Sequence, residues 1–526
     1  MQHESATYDE GAHAFYGIRI LNSHSEKLIL RDSSKMPVTV LNVLPAALRE
    51  FTRFPETADN HFDPKFTMKD LELSRYATIF FSLLFGFYVF QWAKELYGEA
   101  AGIFSFFLYT FCPNLIAHSQ LVTTDLYATG TMLMASYYFW KFLEEGGRLR
   151  AILSASTLGL AQISKYTNLY LYPIYLVIAV LRFAPNSYKE FKEKDYEGLR
   201  RRLISFFKYF SFFVGINLLI INAGFLFSET GLSLNKYRFE SGLLRTVQST
   251  LQPLGGLPIL LPKPYVQGID WVSADERSGK SFGNIYLLGQ LQRKGTQAFK
   301  GFKDYYLVAC FFKVPIAIQV FLFMSVIFYL RNLKKYNFLQ REIFIFMPIL
   351  FLTIYLNFFS RAQTGIRYIL PTFPLLFIFC GSLLEDWTRL SSKFKIALTT
   401  LSLYLILSVL SYFPHYLAYF NEWVPDRKKA YKILADSNLD WGQSKWYLQN
   451  YLKAHPGTIV SPKAPTAGRI ALSVNELVGV FSPERYRWLR ENFEPVGHIA
   501  YSYLIYDIKR DQLEKLKISN GVGGFK

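Results

Sequence analysis

What most constrains this chain is the recurrence of long apolar runs. Stretches such as "IFFSLLFGFYVFQWA" and "IFIFMPILFLTIYLNFF" return along most of its length. A helix needs about 20 mostly apolar residues to cross the hydrocarbon core of a bilayer. Of the 526 residues 51% are hydrophobic, with 49 Phe and 36 Tyr. A soluble protein of two or three domains has no use for so many such runs. The chain therefore reads as a polytopic, all-α membrane protein.

About ten spans follow from hydropathy and loop charge, at 75–94, 100–117, 122–143, 151–164, 168–182, 205–228, 305–330, 342–359, 367–385 and 396–414. The fourth and fifth are short; Lys165 interrupts the run and Pro173 is expected to kink it. Basic clusters arbitrate: Lys141, Arg148 and Arg150; Lys189, Lys192, Lys194 and Arg200 to Arg202; Arg331, Lys334, Lys335 and Arg341; Arg389, Lys393 and Lys395. The positive-inside rule places all four on the cytoplasmic side, which holds only if residues 151–182 cross twice. The N-terminus, the loops 118–121, 229–304 and 360–366, and the tail 415–526 then lie outside. The organisation expected is an exoplasmic first loop (1–74), a transmembrane bundle (75–414) and an exoplasmic α/β unit (415–526). Within the first loop, 37–48 is too short to span and reads as an interfacial helix. Nothing in 1–74 carries that segment across a membrane, so a span is expected to precede it. In the last unit "GRIALSVNELVGVF" and "EPVGHIAYSYLIYDI" read as strands, with "PERYRWLRENF" a helix between them.

The net charge of +18 is spread over short loops and forms no single basic face, so nucleic acid is not the expected partner. Cys112, Cys310 and Cys380 fall inside predicted spans, which argues against disulfides and against a metal cluster. There is no Gly-rich phosphate loop, no His-x-x-x-His pair and no Cys-x-x-Cys.

Chemistry is left to polar residues at the outer ends of spans. Asp125, in "AHSQLVTTDLYATG", lies inside the third span; a central ionisable residue costs roughly 2.5–3.5 kcal/mol to insert and usually has a partner. His118, seven residues earlier, shares a helix face with it if the helix begins early enough. Asp9 and Glu10, in "TYDEGAH", are adjacent carboxylates whose repulsion is expected to raise at least one pKa toward that of a general base, although adjacency alone favours a solvated acidic pair in a loop. Lys165, Arg361 and Arg367 are exoplasmic cations suited to a lipid phosphate, though snorkelling at helix ends explains such residues equally well. "DSNLDWGQ" offers Asn438, Asp440, Trp441 and Gln443, either a surface for sugar or acceptor or a structural turn, with the turn favoured.

The segments "TYDEGAH", "AHSQLVTTDLYATG", "IRYILPTFPLLF", "PHYLAYFNE" and "LADSNLDWGQ" occur in that order. Together they resemble the bacterial branch of the protein O-mannosyltransferase-like membrane glycosyltransferases, glycosyltransferase family 39 with the GT-C fold, from residue 7 to about 508. The resemblance implies a polyprenyl-phosphate donor carrying one mannose-like hexose and an exoplasmic site. It implies Asp9 as catalytic base with Glu10 beside it, Asp125 orienting the acceptor or a divalent cation, and Arg367 and Lys165 on the lipid phosphate. The acceptor it implies is a hydroxyl, on protein, lipid or glycan. One stretch departs: relatives read closer to Glu-His-Pro-Pro where this chain has "SSKMPVTVLN". Two other readings stay open, a flippase or transporter of lipid-linked sugar and a non-catalytic factor for envelope polysaccharide assembly.

Overall fold

The computed structural model describes residues 4–53, 67–279, 282–296 and 299–519. Parts of the predicted first loop (1–3, 54–66) and of the predicted last unit (520–526) lie outside the described residues. The chain starts with α1 (Glu10–Leu21) and α2 (Val40–Arg53), which lie over the end of a helical bundle. The bundle holds α3 (Met68–Tyr97), α4 (Glu99–Thr110), α5 (Pro113–Ser119), α6 (Asp125–Glu145), α7 (Arg148–Gln162), α8 (Leu171–Lys192) and α9 (Tyr196–Gly224). The loop 229–304 is structured, with α10 (Gly242–Thr250), α11 (Lys263–Ser278) and a hairpin of β1 (Ile285–Leu287) and β2 (Gln290–Gln292). Then α12 (Tyr305–Lys313), α13 (Ile316–Arg331), α14 (Ile343–Phe358), α15 (Thr372–Cys380) and α16 (Ser392–Leu410) complete the bundle.

Local sequence sets these boundaries. Thr67 and Asp70 form a reciprocal capping box at the start of α3. Pro113 begins α5 after a 67° bend from α4, and Pro315 precedes α13 after a 110° bend from α12. Gly130 lets α6 close onto α3, since a Cβ there would sit 2.1 Å from the Phe85 ring.

Each of the ten predicted ranges contains a helix or a bent pair. Among the described residues, however, four helices are long and apolar enough to cross a membrane, or six if each bent pair is one span. α7 and α14, of 15 and 16 residues, are too short for that test, and α6 carries acids at both ends. Residues 151–182 do form two helices. The turn at 163–165 is clamped by Asn168, whose Nδ2 donates to Ala161 O at 3.1 Å, and by Gln162, whose Nε2 donates to Asn168 O at 3.0 Å. Pro173 causes no kink, because it falls in the first turn of α8, where its missing N–H breaks no bond.

Ion pairs fix the directions. Lys165 pairs with Asp125 at the start of α6, and Arg182 pairs with Glu144 at its end at 2.7 Å. Arg182 also donates to Leu339 O at 3.1 Å, and Lys335 to Asp386 at 2.9 Å. The loops carrying three of the predicted basic clusters thus gather at one end of the bundle, and Asp125 stands at the other.

The tail packs onto the Asp125 end. It comprises α17 (Lys445–Ala454), α18 (Val474–Val478), α19 (Arg487–Asn492), α20 (Arg510–Ser519) and a sheet in the order β3 (Ile459–Val460), β4 (Gly468–Ser473), β6 (Tyr503–Ile508), β5 (Gly497–Ile499). The predicted first strand ends at Ser473 and turns into α18; the second is a β5–β6 hairpin. The apolar core runs unbroken from the bundle into this sheet. Of the cysteines, Cys112 and Cys380 are buried, Cys310 is half-buried and all three are free.

Candidate active site

The two most distant motifs of the chain meet at this end. Ser5 N–H donates to Gln443 O at 2.9 Å and Tyr8 N–H to Trp441 O at 3.0 Å. Backbone pairing of "TYDEGAH" with "LDWGQ" therefore carries Asp9 onto the bundle. Asp9 is the N-cap of α1, yet its carboxylate makes no capping bond; it accepts instead from Arg367 Nη1 at 3.1 Å.

Glu10 goes the opposite way. Its side chain is fully buried, and it accepts from Arg75 Nε at 2.9 Å and Nη2 at 2.7 Å, from Thr7 N–H at 2.8 Å and from Val122 N–H at 3.0 Å. The expected mutually repelling pair does not form, because consecutive helical residues point about 100° apart. Glu10 with Arg75 is a satisfied internal ion pair that holds α1 to α3.

Asp125 opens α6, buried, paired with Lys165 and 3.8 Å from Arg367 Nη1. Arg367 sits in the turn before α15, its Nη1 shared between Asp9 and Asp125. Its guanidinium lies 4.1 Å from the centroid of the Trp441 ring, and its Nε is buried with no hydrogen-bond partner. Lys165 Nζ stands 4.6 Å from the Tyr368 ring centroid. Four predicted residues, Asp9, Asp125, Lys165 and Arg367, thus form one alternating charge cluster rimmed by aromatics.

Sequence reasoning missed three groups here. Lys35 is buried, with Nζ 3.2 Å from His13 Nε2, and it comes from "SSKMPVTVLN", the stretch already marked as departing from the family. His13 follows Asp9 by one turn and closes "TYDEGAH", a spacing that was available as a signal. Asp436 sits on a left-handed backbone (φ 56°) beside Arg367. Burial works to raise the Asp9 carboxyl, but Lys35, Arg367 and His13 outweigh it and hold the group well below the ordinary range. Burial depresses Lys35, opposed by Asp9, and pushes His13 well down, aided by Lys35. Asp436 is pushed up to about 6 by burial, against the pull of Arg367.

The remaining predicted residues divide. His118 lies in the last turn of α5 and shares no helix with Asp125, because the chain breaks at 120–124. It does come near, with its ring 6.0 Å from that of Trp441 and its Nδ1 buried without a hydrogen-bond partner. Asn438 is a brace: Oδ1 accepts from Ile366 N–H at 3.0 Å and Nδ2 donates to Tyr305 Oη at 3.0 Å, while its carbonyl accepts from the buried Lys313 at 2.6 Å. Asp440 accepts from Gly442 N–H at 2.9 Å, and Gln443 Nε2 donates to Leu439 O at 2.9 Å. These are turn-building bonds, and of the four residues singled out there Trp441 lies against the charge cluster. Arg361 is not brought to it and lines a separate cavity. Among the described residues no three His, Cys, Asp or Glu stand together as a metal's ligands would, and the Asp125 carboxylate is engaged by Lys165 and Arg367.

Residues 66–192 match the family model for dolichyl-phosphate-mannose-protein mannosyltransferases. Over those residues the chain is similar to the protein-mannosyltransferase-like membrane glycosyltransferases. The matched stretch holds Arg75, Asp125 and Lys165; Asp9, Lys35 and Arg367 lie outside it. Among curated proteins none matches. Two crystal structures of ArnT from Cupriavidus metallidurans align along most of the chain. The one bound to undecaprenyl phosphate gives 11% identity, a TM-score of 0.45, and coverage of 95% of this chain and 94% of that one. The apo form gives 13% identity, a TM-score of 0.29, and coverage of 96% and 94%.

Proposed function

We propose that this protein moves a hexose from a polyprenyl-phosphate donor to an exoplasmic hydroxyl on protein, lipid or glycan, by single displacement with inversion. The observation that carries the reading is one guanidinium, that of Arg367, shared between two carboxylates at the end of a membrane bundle. The matched family is named for a polyprenyl-phosphate-linked mannose, which supports that donor class. The outer side is supported by the basic loops gathered at the opposite end of the bundle.

Attack of a hydroxyl on the anomeric carbon needs a base for the proton and positive charge for the departing phosphate. Arg367, Lys165 and Lys35 supply the charge. As the hydroxyl oxygen bonds to the anomeric carbon, the carbon–oxygen bond to phosphate breaks and its electron pair stays on the phosphate. The hydroxyl proton goes to Asp9. On its own Asp9 is a weak base, because the cations hold it ionised. A donor phosphate draws on Arg367 and Lys35 and adds negative charge nearby, which raises Asp9 toward a working base. Asp125 keeps Lys165 and Arg367 in place and faces the acceptor.

Reconstitution in nanodiscs with a synthetic polyprenyl-phosphate hexose, labelled in the sugar, tests this. Release of polyprenyl phosphate together with a glycosylated acceptor is the expected result. In liposomes, movement of the intact labelled lipid across the bilayer with no sugar released contradicts it and favours a flippase.

A further inference from the structure

Arg361, expected on the donor phosphate, instead lines a cavity of about 440 Å³ with Arg277, Lys300, Ser278, Thr296 and Phe299. The walls are built. Gly279 caps α11 in the left-handed region (φ 65°), and a Cβ there would strike the Phe299 ring at 2.8 Å, so the missing side chain lets Phe299 close against the helix end. Gln363 fastens the Arg361 loop to the neighbouring segment, accepting from Phe302 N–H at 2.7 Å and donating to Phe302 O at 2.8 Å.

The cations of this cavity, of which Arg277 and Lys300 are exposed, make no side-chain ion pair among the described residues. Among the described residues no carboxylate comes within 4.0 Å of the side-chain nitrogens of Arg277, Lys300 or Arg361. Three other cations of these outer loops do have partners, Arg293 with Glu484, Lys263 with Glu229 and Lys432 with Glu494, whereas Lys236, Arg238, Lys294 and Lys303 pair with no carboxylate among the described residues. Glu276, the nearest acid in sequence, is turned to Arg361 N–H at 3.2 Å and Tyr355 Oη at 3.4 Å. Three like charges around one depression repel, and a planar guanidinium fork suits a phosphate.

We propose that this cavity binds a phosphate group, and that the phosphate belongs to the acceptor. The second half rests on the function proposed above; the anion site itself does not. The loop 361–367 puts one arginine in this cavity and another on Asp9, so the two Cα atoms lie no more than about 22 Å apart. A phosphorylated glycan or lipid headgroup anchored at Arg361 has a hydroxyl within that compass of the reacting centre.

The probe is glucose 1-phosphate, titrated against the full chain in phosphatidylcholine nanodiscs. An Arg367→Gln background weakens the donor site. Adding Arg277→Gln and Arg361→Gln is expected to reduce the remaining saturable affinity by about tenfold or more. Arg361→Lys, which keeps the charge, restores part of it, and Arg293→Gln with Arg469→Gln changes nothing. Unchanged affinity in the cavity variants overturns the proposal, and so does an equal loss in the Arg293 and Arg469 control, which reports only overall charge. If phosphatidylglycerol in the disc competes with the probe in the parent and not in the cavity variant, the phosphate source is a lipid headgroup. No such competition points to a soluble phosphoglycan. A chain that binds the probe here yet transfers no hexose refutes the proposed function and leaves the anion site standing.

Discussion

Arg367 and Asp9 are 358 residues apart in the chain and 3.1 Å apart in space. That bond joins the N-terminal segment, the bundle and the tail at one point. Trp441 lies against the guanidinium, Asn438 braces the turn that presents it, and Tyr8 pairs with the Trp441 backbone.

Glu10→Gln is expected to destabilise the protein by about 3–5 kcal/mol, because it leaves Arg75 charged and unpaired in the interior. Thermal unfolding of purified protein measures this. The double variant Glu10→Leu with Arg75→Met recovers most of the loss, since neither charge is then stranded. A Glu10→Gln protein with wild-type stability contradicts the structural role.

Asp436 gives a pH signature. Its folded pKa is raised to about 6, against about 3.9 for an unperturbed Asp. The folded state then binds more protons than the unfolded one between those values, so stability falls as pH rises from about 4 to about 6. The difference in Tm between the parent and Asp436→Asn isolates this slope. A flat difference across that window contradicts it.

Asn438→Ala strands Ile366 N–H and the Tyr305 hydroxyl, at a cost of about 1–3 kcal/mol each where no water replaces the bond. With the Arg367 turn loosened, transfer is expected to fall more than stability alone explains. Assays at a temperature where both proteins are fully folded separate the two effects.

Trp441→Ala removes the ring against Arg367, a contact worth about 0.5–2 kcal/mol. Donor affinity is expected to weaken by about tenfold, and Trp441→Phe to retain most of it. Equal loss in both variants points to a packing defect instead.

Much of this site was legible, and for one reason: charges at the outer ends of apolar runs are costly, so Asp125, Lys165 and Arg367 stood out and proved to be each other's partners. What misled was local adjacency. Asp9 and Glu10 look like a pair in sequence, yet helical geometry sends one to Arg367 and the other to Arg75. His118 and Asp125 look like one helix face, yet the chain breaks between them. Lys35 was out of reach because nothing in a loop announces that it folds back onto His13 and Asp9. The bundle was legible as alternating apolar runs and basic loops. The count of ten spans was not, since α7 and α14 are shorter than a spanning helix and hydropathy cannot see the bends before α5 and α13.

The central claim is that Asp9 takes the acceptor proton in a cluster that holds the donor phosphate. Asp9→Asn in nanodiscs, assayed with saturating polyprenyl-phosphate hexose, tests it most directly. Turnover is expected to fall on the order of 10²–10⁴-fold, with donor binding retained and Tm little changed. Near-normal turnover in that variant would contradict the account.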